Sequence, residues 1–81
     1  MSDRLTVYST QWCGYCHRLM RQLERAEIAF DVVDIEVTAG AAEYVMSVNG
    51  GNQTVPTVVL PDGGVLTNPS LAQLVDRLAA A

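Results

Sequence analysis

A chain of 81 residues has room for one small domain, and residues 1–81 read as one; folding at that size hides only about 60 to 65% of the unfolded surface. Hydrophobic residues make up 49% and charged residues 17%, which supplies a core and excludes intrinsic disorder. Five basic residues, all arginine, stand against nine acids for a net charge of −4, the wrong sign for a nucleic acid or an anionic membrane surface.

The opening Met1-Ser2-Asp3-Arg4 lacks a basic stretch followed by a long apolar run, so no signal peptide is expected. No apolar run reaches the roughly 18 residues of a membrane helix, and a cytoplasmic monomer is the simplest expectation. Leu5-Thr6-Val7-Tyr8 alternates and predicts a strand. From Cys16, the residues Leu19, Met20, Leu23 and Ala26 recur at helical spacing, with Arg18, Arg21 and Arg25 on the other side. Ala29 to Ile35 returns to β-branched and aromatic character. Thr38 is placed to cap a helix carrying Ala41, Ala42, Tyr44, Val45 and Val48, which Asn49-Gly50-Gly51-Asn52 must break.

Thr57-Val58-Val59-Leu60 and Val65-Leu66-Thr67 flank Pro61-Asp62-Gly63-Gly64, a hairpin signal. Asn68-Pro69 reads as an N-cap followed by proline in the first helical turn, with Leu71, Leu74, Val75 and Leu78 on the inner face. The order is βαβ, helix, ββ, helix. It predicts an α/β fold with a four-stranded mixed sheet flanked by three helices.

The chemistry sits in Trp12-Cys13-Gly14-Tyr15-Cys16-His17, between the first strand and the first helix. A helix beginning there aims unsatisfied amide N–H groups at Cys13. Thiols in such Cys-X-X-Cys placements ionise below the ordinary value of about 8.5. Cys16, one turn on, can reach back and displace whatever is attached to Cys13, so Cys13 is the expected nucleophile and Cys16 the resolving cysteine. A bridge closing so short a loop stabilises a fold by only ~2 kcal/mol and makes a poor structural staple. The same residues spell a C-x-x-C-H haem signal, but no second histidine exists as a distant axial ligand. A zinc site fails as well, because no second ligand pair is present, and no metal is expected. His17 reads as a solvated side chain, with tuning of Cys16 as its alternative. Tyr15 reads as exposed and able to meet a disulfide partner, whereas Trp12 suits a core cover or a substrate platform.

These residues resemble the glutaredoxin family of the thioredoxin-fold superfamily over nearly the whole chain. The resemblance rests on the early strand, Trp12-Cys13-Gly14-Tyr15-Cys16, the Thr54-Val55-Pro56 triplet and the glycine-bearing hairpin before the last helix. It implies a cis Val55-Pro56 bond beside the cysteines, and a backbone at Val55 that receives a bound thiol in the manner of an added strand. Trp12, Tyr15, Thr54, Val55, Pro56 and Asn68 are then the expected substrate-binding residues. Glutathione-using members carry a lysine before the cysteines and a Gly-Gly-Cys-Asp-like turn before the last helix. Here those positions hold Ser9-Thr10-Gln11 and Thr67-Asn68-Pro69-Ser70. Each lost charge-assisted hydrogen bond costs roughly 1.5 to 3 kcal/mol.

Val48-Asn49-Gly50-Gly51-Asn52 and Leu66-Thr67-Asn68-Pro69 are similar to the mycoredoxin branch, which uses the neutral sugar thiol mycothiol. That implies mycothiol as co-substrate, no tightly bound cofactor, and S-mycothiolated or disulfide-containing proteins as partners. Two other readings stay open: a redoxin fed by thioredoxin reductase that supplies ribonucleotide reductase, and an iron–sulfur carrier. The first lacks the Ser-Gly-Phe-Arg-like stretch between Leu66 and Ser70, and Cys16 argues against the second.

Overall fold

Alternation along Leu5–Ser9 organises the molecule. Leu5, Val7 and Ser9 are buried on one face of this strand, while Thr6 and Tyr8 are half-buried on the other. A strand covered on both faces belongs at the centre of a sheet with helices on either side. The computed structural model describes residues 4–80, so the opening Met1-Ser2-Asp3 and residue 81 lie outside it. In chain order the elements are β1 (Leu5–Ser9), α1 (Gly14–Arg25), β2 (Phe30–Asp34), α2 (Ala41–Val48), β3 (Thr57–Val59), β4 (Val65–Thr67) and α3 (Leu71–Ala80).

The sheet runs β2-β1-β3-β4. β1 lies parallel to β2, with Val7 opposite Val32, and antiparallel to β3, with Val7 opposite Val58. Leu5, Val7 and Val58 pack against Leu19 and Leu23 of α1 and Leu74 of α3. On the other face Ile35, Ala41 and Val45 form a smaller cluster that Tyr8, Val33 and Tyr44 join. Burying each such aliphatic side chain stabilises the fold by roughly 1.5 to 3 kcal/mol. The expected βαβ-α-ββ-α order and four-stranded mixed sheet are therefore present.

Three local expectations are corrected. Thr38 does not cap α2: it lies in the turn after β2, where its amide bonds the Asp34 carbonyl, two residues before the cap. Gly40 takes the cap at φ 80°, a left-handed conformation that glycine adopts without a Cβ penalty. Asn68 does not cap α3. Ser70 does, its Oγ accepting from the Gln73 amide at 3.1 Å while the Gln73 side chain accepts from the Ser70 amide at 2.8 Å. Val75 is 44% exposed and does not belong to the inner face of α3, and Val48 of α2 is 38% exposed. Both lie at the edge of an apolar stripe, where periodicity alone does not separate rim from core.

In the hairpin, the Asp62 carboxylate accepts from the Gly64 amide at 2.8 Å. A Cβ on Gly64 would meet the Arg77 guanidinium, so a side chain there requires that flexible arm to swing aside.

Candidate active site

β1 ends at Ser9, and the chain leaves the sheet through Thr10, which is 3% exposed. The Thr10 carbonyl accepts from the Cys13 amide at 3.3 Å, closing a tight turn. Cys13 then adopts extended dihedrals (φ −82°, ψ 107°) and becomes the N-cap of α1, with sulfur as the capping atom. The Cys16 amide donates to Cys13 Sγ at 3.2 Å, and the His17 amide donates to the Cys13 carbonyl at 3.2 Å. One of the orphan N–H groups of the helix is thus spent on the sulfur, an arrangement that favours negative charge there.

The second wall comes from the segment before β3. The Tyr8–Thr57 pairing brings the start of β3 to the end of β1. The Val55-Pro56 peptide is cis, and the Val55 carbonyl lies 3.9 Å from Cys13 Sγ, within reach of a weak S–H donor. Pro56 is buried and its carbonyl accepts from the Asn68 amide at 2.7 Å, joining the approach to α3 onto the site. Thr54 is half-buried, and its carbonyl accepts the Thr57 hydroxyl at 2.7 Å.

The two thiols are unlike. Neither forms a disulfide and both are buried, Cys13 at 5% exposure and Cys16 completely. Burial pushes its thiol up to about 12, with a further rise from its hydrogen bond to Cys13, partly opposed by a backbone hydrogen bond from Thr10. The Thr10 hydroxyl is buried beside the pair and has no hydrogen-bond partner.

Among the sequence-predicted site residues, Cys13, Cys16, Val55, Pro56 and Asn68 are brought together by these contacts. Trp12 and Tyr15 flank them at 73% and 70% exposure, so the reading of Trp12 as a core cover is corrected. The turn at Thr10–Cys13 places the indole outside both clusters. His17 is exposed, as expected, but its ring Nε2 pairs with the Gln11 carbonyl at 2.7 Å. It therefore braces the loop before the cysteines.

Sequence reasoning misses Asn49, which reads there only as a helix breaker. Its side-chain amide donates to the Val45 carbonyl at 2.9 Å and the Thr57 hydroxyl at 3.0 Å, and its carbonyl oxygen accepts the Thr67 hydroxyl. The end of α2 is thereby tied to β3, which follows the cis-proline loop directly, and to its neighbour β4. An asparagine directly after the apolar positions of a helix is the signal that could have found it.

A helix-capping thiol, a buried second thiol one turn on and a cis-proline loop across from them define a thioredoxin-fold Cys-X-X-Cys redox protein. The glutaredoxin family model matches residues 5–65. Mycoredoxin 1 of Corynebacterium glutamicum is 41% identical over 78 residues, 96% of either chain. A glutaredoxin-named protein of Mycobacterium tuberculosis, Rv3198A, is 57% identical over 74 residues, covering 91% of this chain and 88% of that one. A solved glutaredoxin from Archaeoglobus fulgidus superposes with a TM-score of 0.74 at 25% identity, over 98% of this chain and 88% of its own. A point mutant of the thioredoxin-like protein BC3987 superposes with a TM-score of 0.80 over 99% of this chain and all of its own; its 22% identity speaks for the fold alone. The chain belongs to the glutaredoxin family of thiol oxidoreductases.

Proposed function

We propose that this protein is a disulfide reductase that removes mycothiol from mixed disulfides on proteins, with Cys13 as nucleophile and Cys16 as resolving thiol. The observation that carries the reading is the position of Cys13 Sγ, held by the Cys16 amide and facing the Val55 carbonyl ahead of cis-Pro56. The Cys13 thiolate attacks the mycothiol sulfur of a protein–mycothiol disulfide. That S–S bond breaks, the protein thiolate leaves and takes up a proton, and a Cys13–mycothiol disulfide forms. A second mycothiol thiolate attacks the mycothiol sulfur of this disulfide, giving oxidised mycothiol and restoring Cys13. In the alternative second step, Cys16 loses its proton and attacks Cys13 Sγ, closing an internal disulfide and expelling mycothiol thiolate.

Val55 offers its backbone to the cysteinyl unit of the small thiol, with Thr54, Pro56, Asn68, Trp12 and Tyr15 around it. Mycothiol is favoured over glutathione by the relationship to Mycoredoxin 1 and by a chain without lysine whose pre-cysteine and pre-α3 segments are uncharged. No tightly bound cofactor enters this cycle, and a cytoplasmic site of action follows from a thiol pool that keeps Cys13 reduced. The test compares mycothiol, glutathione and thioredoxin reductase, each with its own NADPH-coupled recycling, on one mixed-disulfide peptide. The expected kcat/KM with mycothiol exceeds either rival by at least about tenfold, the cost of one missing charge-assisted hydrogen bond. Equal or better turnover with thioredoxin reductase would overturn the reading.

A further inference from the structure

We infer that the exposed face of α1 beside the cysteines is a docking surface for an acidic stretch of the protein partner in the mixed disulfide; this rests on the reductase reading proposed above and names its class of client. The five basic residues are unevenly engaged. Arg4 pairs with Asp31 and Arg77 with Asp62. Among the described residues, Arg18, Arg21 and Arg25 make no hydrogen bond or ion pair, and all three are exposed on α1.

The first argument is charge. At about 100° per residue, Arg18, Arg21 and Arg25 fall within about 60° of one another, so they form one stripe. Glu24 lies about 60° past Arg21, on the flank of that stripe, and Glu27 comes after the helix has ended. Acidic charge gathers elsewhere: Asp34, Glu36 and Glu43 belong to the stretch from β2 to α2, and α2 packs on the opposite face of the sheet from α1. A chain of net charge −4 thus carries a cationic surface next to its reactive thiol. Three guanidinium groups in a row without carboxylates of their own are complementary to carboxylates on a partner.

The second argument is extent. Trp12 and Tyr15 at the mouth of the site are 73% and 70% exposed. Two aromatic side chains bury about 300 to 500 Å² together. That is less than the roughly 600 Å² a side of a transient redox encounter. A client whose disulfide reaches Cys13 therefore extends past the aromatics, and the stripe continues from Tyr15 for roughly 15 Å along α1. Trp, Tyr and Arg are also the residue types that anchor interfaces. A small thiol does not account for the stripe. Tyr15 and Arg18 line a groove of about 280 Å³ between α1 and the approach to α3, whereas Arg21 and Arg25 lie outside it.

The test uses three mycothiolated peptides of one length, whose six residues on each side of the cysteine carry glutamates, lysines or only serine and glycine. Six extended residues reach about 20 Å, far enough to lie over Arg25. At about 0.01 M salt the glutamate peptide is expected to react fastest, although net charge alone favours the lysine peptide. Replacing both outer arginines, Arg21→Gln with Arg25→Gln, is expected to lower kcat/KM for the glutamate peptide about three- to tenfold, through KM rather than kcat. The uncharged peptide is expected to keep its wild-type value, which also reports intact folding. In about 1 M salt the loss on the glutamate peptide is expected to shrink below about twofold. A wild-type protein that favours the lysine peptide, an unchanged rate on the glutamate peptide, or equal losses on all three would overturn the surface and leave the proposed function standing. A dimer in sedimentation that the double substitution dissolves would assign the stripe to a second copy of this chain and overturn it too. Release from none of the three peptides would sink the functional reading, and this inference with it.

Discussion

Cys13 has two duties that one substitution separates. Its sulfur caps α1 as well as facing the cis-proline loop, and serine is among the strongest N-caps known. Cys13→Ser is therefore expected to abolish thiol release while holding stability within about 0.5 kcal/mol of wild type, checked by urea unfolding. Cys16 presents the opposite case. A thiol that burial pushes up to about 12 holds its proton at pH 7, which slows its attack on Cys13. With mycothiol in excess, Cys16→Ser should keep at least about half of wild-type turnover, and loss of activity would assign it an obligatory step. The same group has a stability signature. An unfolded thiol ionises near 8.5, whereas the folded one holds its proton toward about 12. The native state binds the extra proton in that window, so its stabilising effect is complete below pH 8.5 and is lost as pH rises toward 12. Tyr8 is shifted upward, first by burial and then by Tyr44, and acts in the same direction. Denaturation at stepped pH should show a shallower alkaline decline in Cys16→Ser.

The elements show where local sequence suffices and where it does not. β1, the cysteine turn and α1 are legible because their signals are local: alternation, then a Cys-X-X-Cys at the strand–helix junction, then helical periodicity. The caps are less so. Asn68-Pro69 looks like a helix start, but Asn68 sits at φ 47° with its amide spent on Pro56, a partner that sequence does not reveal. Ser70-Leu71-Ala72-Gln73 carries the capping-box pattern and is masked by the stronger-looking Asn-Pro pair. Asn49 is illegible as a positioning residue because its partners Thr57 and Thr67 lie 8 and 18 residues away. The cis bond comes from resemblance alone, since only about 5 to 6% of X–Pro bonds are cis. Asn49→Ala should cost about 1 to 3 kcal/mol by thermal unfolding, because it strands polar groups at Thr57 and Val45. The end of α1 offers a gain instead. The Ile28 amide bonds the Leu23 carbonyl at 3.0 Å and the Glu27 amide bonds that of Glu24 at 3.1 Å, a Schellman ending whose left-handed residue, Glu27 at φ 59°, carries a Cβ. Glu27→Gly should raise stability by about 0.5 to 1 kcal/mol, a rise in melting temperature of a few degrees.

Across the whole molecule, the charge balance acts on the approach of the reducing thiol. Mycothiol thiolate carries one negative charge and glutathione thiolate a net two, and both approach a chain of net charge −4. Repulsion from the summed field slows both, and more so the doubly charged thiol. Salt shortens the screening length from about 30 Å at 0.01 M to about 8 Å at 0.15 M. Thiol attack on a preformed Cys13 mixed disulfide is therefore expected to speed up with salt, about twice as steeply on a logarithmic scale for glutathione as for mycothiol. The Arg4–Asp31 pair at 3.0 Å and the Arg77–Asp62 pair at 3.9 Å are both about half exposed, contributing ~0 to 1 kcal/mol each, so moderate salt leaves the fold intact over this range. Arg18, on the wall of the groove beside Tyr15, pulls the other way at short range. The sign of the slope decides between them: acceleration by salt means the net charge governs encounter, whereas slowing means the single guanidinium at the site outweighs it.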